Sequence, residues 1–279
     1  MSFLKKYSTL LFFFISLAAN AQNQLSSQFD YANNLFKAHQ YFDAVTEYKR
    51  LLFFDSKNEY AFPANYKIGE AYKSGLKFDE AIKYFSLAEM SAANSEQKYS
   101  SKIEIVKTNI LRRTTDRAHQ LLDEMEKTFY TGVYKDSLNY WRGWNYIFAD
   151  NWKKASECFA KISPSHELKL LCDGVEKEKV SVTFTKVISY ILPGAGQVYT
   201  GQYISGILSL SYNVLFGYLT INSFAEERIF DGFAVGSLLW LRFYRGNVQN
   251  AEKFAEEKNI ETANKALRYL QNNYQGQKP

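Results

Sequence analysis

The sequence predicts an all-α protein in which a series of helical hairpins is followed by a membrane hairpin and a C-terminal helix. Three observations support this fold class. Glycine and proline are sparse, at 14 and 4 of 279 residues, which disfavours a fold with many turns. Residues 204–224 form an uncharged stretch rich in Leu, Ile, Ser and Tyr. An alanine recurs every 37 residues, at Ala44, Ala81, Ala118 and Ala155.

The N-terminus has the pattern of an export signal. Lys5 and Lys6 precede an apolar run over residues 10–17, and an Ala-Asn-Ala site ends at Ala21. The apolar run is much shorter than the roughly 20 residues of a membrane-spanning helix. We therefore expect residues 1–21 to be a signal peptide and the remainder to be exported. No cysteine comes directly after the apolar run, which disfavours a lipoprotein anchor.

Charge is unevenly distributed along the chain. The net charge is +5, but residues 22–180 contain 23 Lys/Arg and 22 Asp/Glu, with no basic stripe that would favour nucleic-acid binding. Residues 187–225 contain no charged side chain. This change predicts a repeat domain with a capping helix over 22–180, a membrane hairpin domain over 181–250 and a helical tail over 251–279.

The alanine period organises the first of these domains. A large apolar residue follows each alanine by four positions, as with Tyr48 and Phe85, which predicts one apolar face of a helix. A glycine and a tyrosine precede the alanine by twelve and nine positions in two units, which predicts a preceding helix. Small residues would allow the two helix backbones to approach closely. The predicted repeat core is Ala44, Gly69, Tyr72, Ala81, Ala118, Gly143, Tyr146 and Ala155.

Over residues 28–162 this pattern resembles the tetratricopeptide repeat family, most closely at residues 66–90. The period exceeds the 34 residues usual in that family by three. The third unit departs from the pattern, with Val106 and Asn109 where a small and an aromatic residue are expected.

The resemblance implies a solenoid of about four hairpins whose first helices present a binding face. We define the first-helix face by the residues that the register places there: Asn33, Lys37, Glu70, Lys73, Lys107, Tyr140 and Trp144. The alternative for its charged members is an ordinary solvated surface. Trp144 is either buried against a neighbouring helix or part of a binding patch.

Residues 204–224 are the best transmembrane candidate, since 21 residues at about 1.5 Å each cover about 30 Å of hydrocarbon. The alternative is a buried helix of a soluble domain. A weaker second arm covers residues 229–244 after a polar turn at 226–228. In that arm Gly232 and Gly236 form a G-x-x-x-G pattern, which favours close contact between membrane helices.

A glycine-rich segment, residues 193–201, precedes the first arm, and we call it the Pro-Gly motif. It lacks the Gly-Lys-Ser/Thr ending of a phosphate-binding loop. Its composition predicts a turn at the membrane surface, with Gln197 and Tyr199 among the lipid headgroups. The predicted motif residues are Pro193, Gly194, Gly196, Gln197, Tyr199 and Gly201.

Over residues 184–250 the chain resembles small bacterial domains with two transmembrane helices and the signature Pro-Gly-x-Gly-Gln-x-Tyr-x-Gly. That resemblance implies a membrane location and no particular chemistry.

Cys158 and Cys172 lie 14 residues apart in the exported part. They either form a disulfide between consecutive helices or are small buried residues. The histidines His39, His119 and His166 have no spaced acidic or nucleophilic partners. We therefore predict no catalytic, cofactor or metal site.

The expected function is that of a non-enzymatic scaffold of the bacterial cell envelope, held at the inner membrane with its repeats facing the periplasm. Its expected partners are a protein or peptide and the lipid bilayer. The alternative is a component of a membrane transport or protein-insertion complex in which the hairpin is the functional element. The positive-inside rule is not met, because the turn between the arms holds Arg228 alone among basic residues, while Arg242 and Arg245 lie at the other end of the second arm. A shallow hairpin, or an additional crossing or re-entrant segment at 184–192, would each account for that departure.

Overall fold

The computed structural model describes residues 24–129 and 132–279, so the predicted signal peptide lies outside the described residues. Regular structure in these residues is helical throughout, with no strand, which confirms the all-α prediction. The chain divides into two compact units. The first runs to His166 and includes Gln277–Pro279, and the second is Glu167–Gly276.

Eight helices of the first unit follow one another as four hairpins. The first helices of the four hairpins end at residues 37, 74, 111 and 148, and the second helices begin at 41, 78, 115 and 152, so both boundaries repeat every 37 residues. The helices are α1 (24–37), α2 (Tyr41–Phe54), α3 (Ala61–Ser74), α4 (Phe78–Met90), α5 (Ser95–Leu111), α6 (Thr115–Thr128), α7 (Val133–Phe148) and α8 (Trp152–Ala160).

One three-residue turn recurs within every hairpin. Its middle residue has a left-handed backbone, with φ between 56° and 61°. In the second hairpin the Leu76 N–H donates to the Lys73 carbonyl and the Lys77 N–H donates to the Tyr72 carbonyl, which is the Schellman pattern. Glycine usually occupies the left-handed position, but here it is held by His39, Leu76, Arg113 and Asp150.

The repeating alanines are completely buried in all four hairpins. The large residue four positions later is also completely buried in each case, as Tyr48, Phe85, Leu122 and Phe159. The helix face predicted from the i, i+4 spacing is therefore the face that forms the core.

Gly69 and Gly143 leave room for an aromatic ring rather than for a second backbone. A Cβ atom at Gly69 would lie 2.7 Å from the ring of Phe85, and one at Gly143 would lie 2.5 Å from the ring of Phe159. Each glycine is on the first helix of a hairpin and each ring is on the second. The predicted small residue is thus necessary. The physical reason is the volume of the aromatic side chain four positions after the repeating alanine.

The irregular third hairpin solves the same packing problem with other residues. Val106 occupies the position equivalent to Gly69 and Leu122 the position equivalent to Phe85, and both are completely buried. Asn109 replaces the aromatic residue of the first helix. Its side-chain Nδ2 donates to the Ile105 carbonyl at 2.8 Å, and its Oδ1 accepts from the Thr114 hydroxyl at 2.8 Å. A buried polar side chain is satisfied here by the preceding turn of its own helix and by the turn that follows the helix.

The second unit is built around two long helical segments. Its elements are α9 (Glu167–Glu178), α10 (Val182–Ile191), α11 (Ala195–Tyr199), α12 (Tyr203–Ala225), α13 (Ile229–Ala234), a π-helical segment (Val235–Trp240) and α14 (Leu241–Asn272). Among the described residues, α12 alone is long and apolar enough to cross a membrane.

Two predicted boundaries differ from the structure. The predicted cap, α9, belongs to the second unit, because it packs on α14 and its Glu167 accepts a hydrogen bond from the Tyr269 hydroxyl. The predicted second arm and the predicted tail are not separate helices. They form one continuous helical segment from Ile229 to Asn272, interrupted only by the π-helical segment.

The ring-to-glycine fit predicts that Gly69→Ala lowers the free energy of unfolding of the full chain by about 1–2 kcal/mol. Overpacking costs about 1–3 kcal/mol, and the higher helix propensity of alanine offsets about 0.5–1 kcal/mol of it. Denaturant unfolding in detergent, followed by circular dichroism, measures the difference.

Gly174→Ala is the matched control, because a Cβ atom at Gly174, within α9, meets nothing within 4 Å. We expect this variant to be stabilised by about 0.5–1 kcal/mol. Adding Phe85→Leu to Gly69→Ala reproduces the smaller side chain of the third hairpin and should recover part of the loss. Equal effects of the two alanine substitutions would contradict the packing explanation.

Candidate functional site

The predicted first-helix face is only partly exposed. Its members Asn33, Glu70 and Lys107 are half-buried, whereas Lys37 is exposed. Asn33 Oδ1 accepts a hydrogen bond of 2.7 Å from the Tyr48 hydroxyl. This part of the face is therefore tied to the core of the first hairpin.

Trp144 does not form part of an exposed patch. Its side chain is 3% exposed, and its ring lies 6.3 Å from that of Phe148, one helical turn later on α7. The interpretation of Trp144 as a surface contact for a partner is therefore wrong, and the alternative of a buried indole is correct. Its hydrophobic area is used in packing the fourth hairpin.

Two lysines of the face are paired with a buried carboxylate that sequence reasoning missed. Glu104 on α5 accepts from Lys73 Nζ at 2.6 Å and from Lys107 Nζ at 2.7 Å. Lys107 Nζ also lies 4.5 Å from the centre of the Trp141 ring, a cation–π contact. The cluster joins the first helices of the second, third and fourth hairpins.

Glu104 remains ionised despite its burial. Burial alone would raise the pKa of its carboxyl, but Lys73 and Lys107 outweigh that effect and hold the pKa below its ordinary value. Nearby, Glu70 pairs with Lys67 at 2.7 Å. Burial, with these two carboxylates, raises the pKa of Tyr66 well above its ordinary value, so this phenol stays protonated.

Tyr140 of the first-helix face contacts main chain near the C-terminus. Its hydroxyl donates to the carbonyl of Gln277, and Gln277–Pro279 belong to the same compact unit as the repeats. Its ring packs edge-on against Trp141 and Phe159. The end of the chain thus contacts α7 at a residue that the sequence assigns to partner binding.

The side chains of the Pro-Gly motif divide between a buried cluster and the protein surface. Gln197 is 1% exposed, so the prediction that its side chain contacts lipid headgroups is wrong. Tyr199 is more exposed and packs edge-on against Phe184, with ring centres 5.3 Å apart. Pro193 follows the end of α10, as expected for a residue that cannot continue a helix.

The motif wraps around Asn247, a residue of α14 that the sequence analysis did not single out. Asn247 Oδ1 accepts from the Gly194 N–H at 2.8 Å, from Gln197 Nε2 at 3.0 Å and from the Ser209 hydroxyl at 2.9 Å. Its Nδ2 donates to the Ser189 carbonyl at 2.9 Å. One buried amide therefore joins α10, α11, α12 and α14.

Each glycine of the motif has its own structural reason. Gly194 has φ +92°, and a Cβ atom there would lie 2.2 Å from the carbonyl oxygen of Gly206 on α12. A Cβ atom at Gly196 would lie 2.1 Å from Ser189 Oγ. Gly201 has φ +89° and ends the turn into α12 with free space around it. Backbone conformation and close approach explain these glycines without a bound phosphate.

The arms of the hairpin pack through small residues. A Cβ atom at Gly232 would lie 2.9 Å from the ring of Phe224, and one at Gly236 would lie 3.0 Å from Thr220. Both glycines of the G-x-x-x-G pattern therefore face α12. Further along, Phe243 on α14 stacks between Tyr212 and Phe216, 5.0 Å from each.

A groove of about 940 Å³ lies between α12 and α14 within the second unit. Its polar lining includes Asn213 on α12 and both Arg242 and Arg245 on α14. No acidic residue is among the residues that line it. The groove therefore has a positive charge in the most apolar part of the chain.

Both cysteines are buried, and no disulfide joins them, so the disulfide alternative is wrong and the alternative of small buried residues holds. Burial raises the pKa of the Cys158 thiol, which keeps it protonated and poorly nucleophilic. Within the described ranges, no three His, Cys, Asp or Glu side chains are arranged to hold a metal ion.

No family model, no curated protein and no solved structure matches this chain.

The buried Glu104 cluster predicts a specific loss of stability in acid. Because the pKa of Glu104 is lowered by folding, its contribution is complete above the unfolded pKa, near 4.5, and is lost as pH falls through the lower folded value. At pH 7 we expect Glu104→Gln to lower the free energy of unfolding by about 1–3 kcal/mol. The difference from wild type should shrink below pH 4.5. Glu80→Gln, at an exposed position, serves as the control, and a pH-independent difference for Glu104→Gln would contradict the account.

The Asn247 cluster predicts that Asn247→Ala destabilises the second unit by about 2–4 kcal/mol, since orphaned buried polar groups cost about 1–3 kcal/mol each. Asn250→Ala, three residues later at an exposed position, should stay within about 0.5 kcal/mol of wild type. Resistance of the second unit to protease during denaturant titration in micelles measures both. Similar stability of the two variants would show that the cluster does not hold the motif in place.

Proposed function

We propose that the chain is a non-enzymatic scaffold of the bacterial cell envelope, anchored in the inner membrane by its second unit, with repeats that bind a protein or peptide in the periplasm. The observation that carries the proposal is the exposure of large apolar side chains along both arms of the hairpin. They include Ile204, Ile207, Val214, Tyr218, Ile221, Phe230, Phe233 and Leu238, each more than 60% exposed.

A surface of this kind is unfavourable in water and is typical of contact with lipid. The 23 residues of α12 extend about 34 Å at 1.5 Å per residue, enough to cross the hydrocarbon. The tip of the hairpin is polar, with Arg228 paired to Glu226 at 2.9 Å. That tip favours a position in water beyond the bilayer.

The position of the C-terminus favours a hairpin that returns. Gln277–Pro279 group with the repeats, and Tyr140 contacts Gln277. If the repeats and the C-terminus are on one side of the membrane, the chain after the signal peptide crosses an even number of times. Two crossings, by α12 and by the segment from Ile229 onward, satisfy that condition.

The repeat half supplies the binding function in this proposal. Four hairpins of constant period stack into a tetratricopeptide-like solenoid, whose first-helix face recognises an extended polypeptide. The contact of Tyr140 with main chain at Gln277 supports that mode, since a carbonyl group is offered by any peptide.

A second candidate is a component of a transport or protein-insertion complex, which one observation favours. The groove with Arg242 and Arg245 places charge beside a proposed membrane helix, and charged residues in such places usually have functional roles.

Anchoring is tested by charging the lipid-facing side of α12. Ile207, Val214 and Ile221 are spaced by seven residues and are each at least 63% exposed. A charged side chain at the centre of a membrane helix costs about 2.5–3.5 kcal/mol. We therefore expect the triple Glu variant to be extracted from membranes by alkaline carbonate, whereas the triple Ala variant stays. Retention of the Glu variant would contradict anchoring by α12.

Partner binding is tested with photocrosslinking amino acids placed in the full chain in native membranes. Probes at Lys37 and Tyr140 lie on the first-helix face, and a probe at the exposed Lys153 lies on a second helix. We expect a shared adduct from the first two positions and none from Lys153. An equal adduct from all three positions would contradict recognition by the first-helix face.

A further inference from the structure

The groove between α12 and α14 combines positive charge with a ladder of polar groups. Ser205, Ser209 and Asn213 follow one another at intervals of four residues, so they share one face of α12 and line the groove. Arg242 and Arg245 line it from α14. In the described part of the chain, neither arginine makes an ion pair, and no carboxylate lines the groove to supply one.

Contacts across the hairpin give the depth of these arginines. Phe243 is stacked between Tyr212 and Phe216, and Asn247 bonds to Ser209, so Arg245 lies level with the part of α12 between residues 209 and 212. Along the axis of α12, that level lies about seven residues, or roughly 10 Å, beyond Ile204, where the apolar stretch starts. Arg242 lies about one helical turn deeper.

This inference rests on the proposed function, because it takes α12 to cross the bilayer. A guanidinium group at that depth needs an anionic partner or water, since an unpaired charge in hydrocarbon is costly. An arginine side chain can also extend toward the interface from such a position. The anionic groups nearest to a laterally accessible groove in a membrane are the phosphates of the phospholipids.

A second observation indicates that the ligand also donates hydrogen bonds. Asn213 is 5% exposed and lines the groove, and its Nδ2 donates to the Ser209 carbonyl. Its Oδ1 is buried and has no hydrogen-bond partner among the described residues. Such an acceptor is satisfied by a hydroxyl group close to a phosphate.

Apolar side chains flank the same groove. Leu208 and Leu241 are among its lining residues, and both are close to half exposed. They would accompany an acyl chain that leaves the groove along the hairpin. A ligand with a phosphate, hydroxyl groups and an acyl chain therefore matches the groove better than an acidic polypeptide, which lacks the acyl chain.

We propose that this groove binds the headgroup of an anionic phospholipid with a hydroxylated headgroup, such as phosphatidylglycerol. Arg242 and Arg245 bind the phosphate, Asn213 Oδ1 accepts from a headgroup hydroxyl, and the acyl chains lie against Leu208 and Leu241.

The test is lipid binding by the full chain reconstituted in nanodiscs of phosphatidylcholine with a minor fraction of fluorescent phosphatidylglycerol. An arginine near an anionic membrane surface contributes about 1 kcal/mol, or about fivefold in affinity. Arg242→Gln with Arg245→Gln should therefore weaken phosphatidylglycerol binding about 30-fold. Lys253→Gln with Arg268→Gln removes the same charge from exposed positions of α14 outside the groove and should change binding less than twofold.

Three results would overturn the proposal, and each would indicate a different explanation. Equal weakening by the two double variants would show non-specific charge attraction and overturn the proposal. Displacement of the lipid by millimolar glycerol 3-phosphate or inorganic phosphate would show a site for soluble phosphate compounds and overturn the lipid assignment. Displacement by an acidic peptide, with phosphatidylglycerol unable to compete, would assign the groove to polypeptide.

Reconstitution into phosphatidylcholine alone separates this proposal from the anchor. Wild type and the Arg242/Arg245 double variant should both remain in these neutral membranes, because the apolar surface of α12 is unchanged. Loss of both from neutral membranes would count against the proposed function itself, whereas retention without selectivity for phosphatidylglycerol would overturn only the groove.

Discussion

The hydrogen bonds of Asn247 connect α10, the Pro-Gly motif, α12 and α14. One side chain contacts the end of α10, the backbone of the Pro-Gly motif and α12; the first two contacts are buried and the third is part-buried. In an apolar environment, unsatisfied polar groups are expensive, so losing these hydrogen bonds is strongly destabilising. The bond between Ser209 and Asn247 joins α12 to α14 at the groove, since both residues line it.

The repeat half depends on a different constraint, which is volume. Four hairpins share the same turn and the same helix boundaries. The volume available to the residue opposite each core side chain is therefore tightly limited. Where the core residue is Phe, as at Phe85, the opposing residue is Gly69, and where it is Leu122, a valine is present. The third hairpin keeps the 37-residue period while departing from the sequence pattern. There, a larger residue on the first helix, Val106, is matched by a smaller core residue on the second, Leu122.

The sequence predicted the parts of the fold that follow from periodicity. Helix type, hairpin order and the buried alanines such as Ala118 follow from one apolar face per helix, which is a local property. Glu104 and Asn247 could not be found in this way, because their partners come from other helices and a lone polar residue resembles a solvated one. Gln197 was misplaced for the same reason: its amide suits either a headgroup or a buried cluster, and only tertiary contacts distinguish them.

The extent of the last helix of the second unit was also beyond local reasoning. The polar sequence predicted a separate tail over residues 251–279, but helical structure continues through α14 because its apolar side packs on α9 and α10.

Site-specific labelling with a membrane-impermeant maleimide tests the central claim, a hairpin that crosses the membrane and returns, most directly. Single cysteines are introduced as Lys57→Cys on the repeats or Glu227→Cys at the tip, with the native thiols protected by their burial. In intact spheroplasts the account predicts rapid labelling at position 57 and labelling at position 227 only after the membrane is permeabilised. Equal labelling of both positions in intact spheroplasts would contradict it.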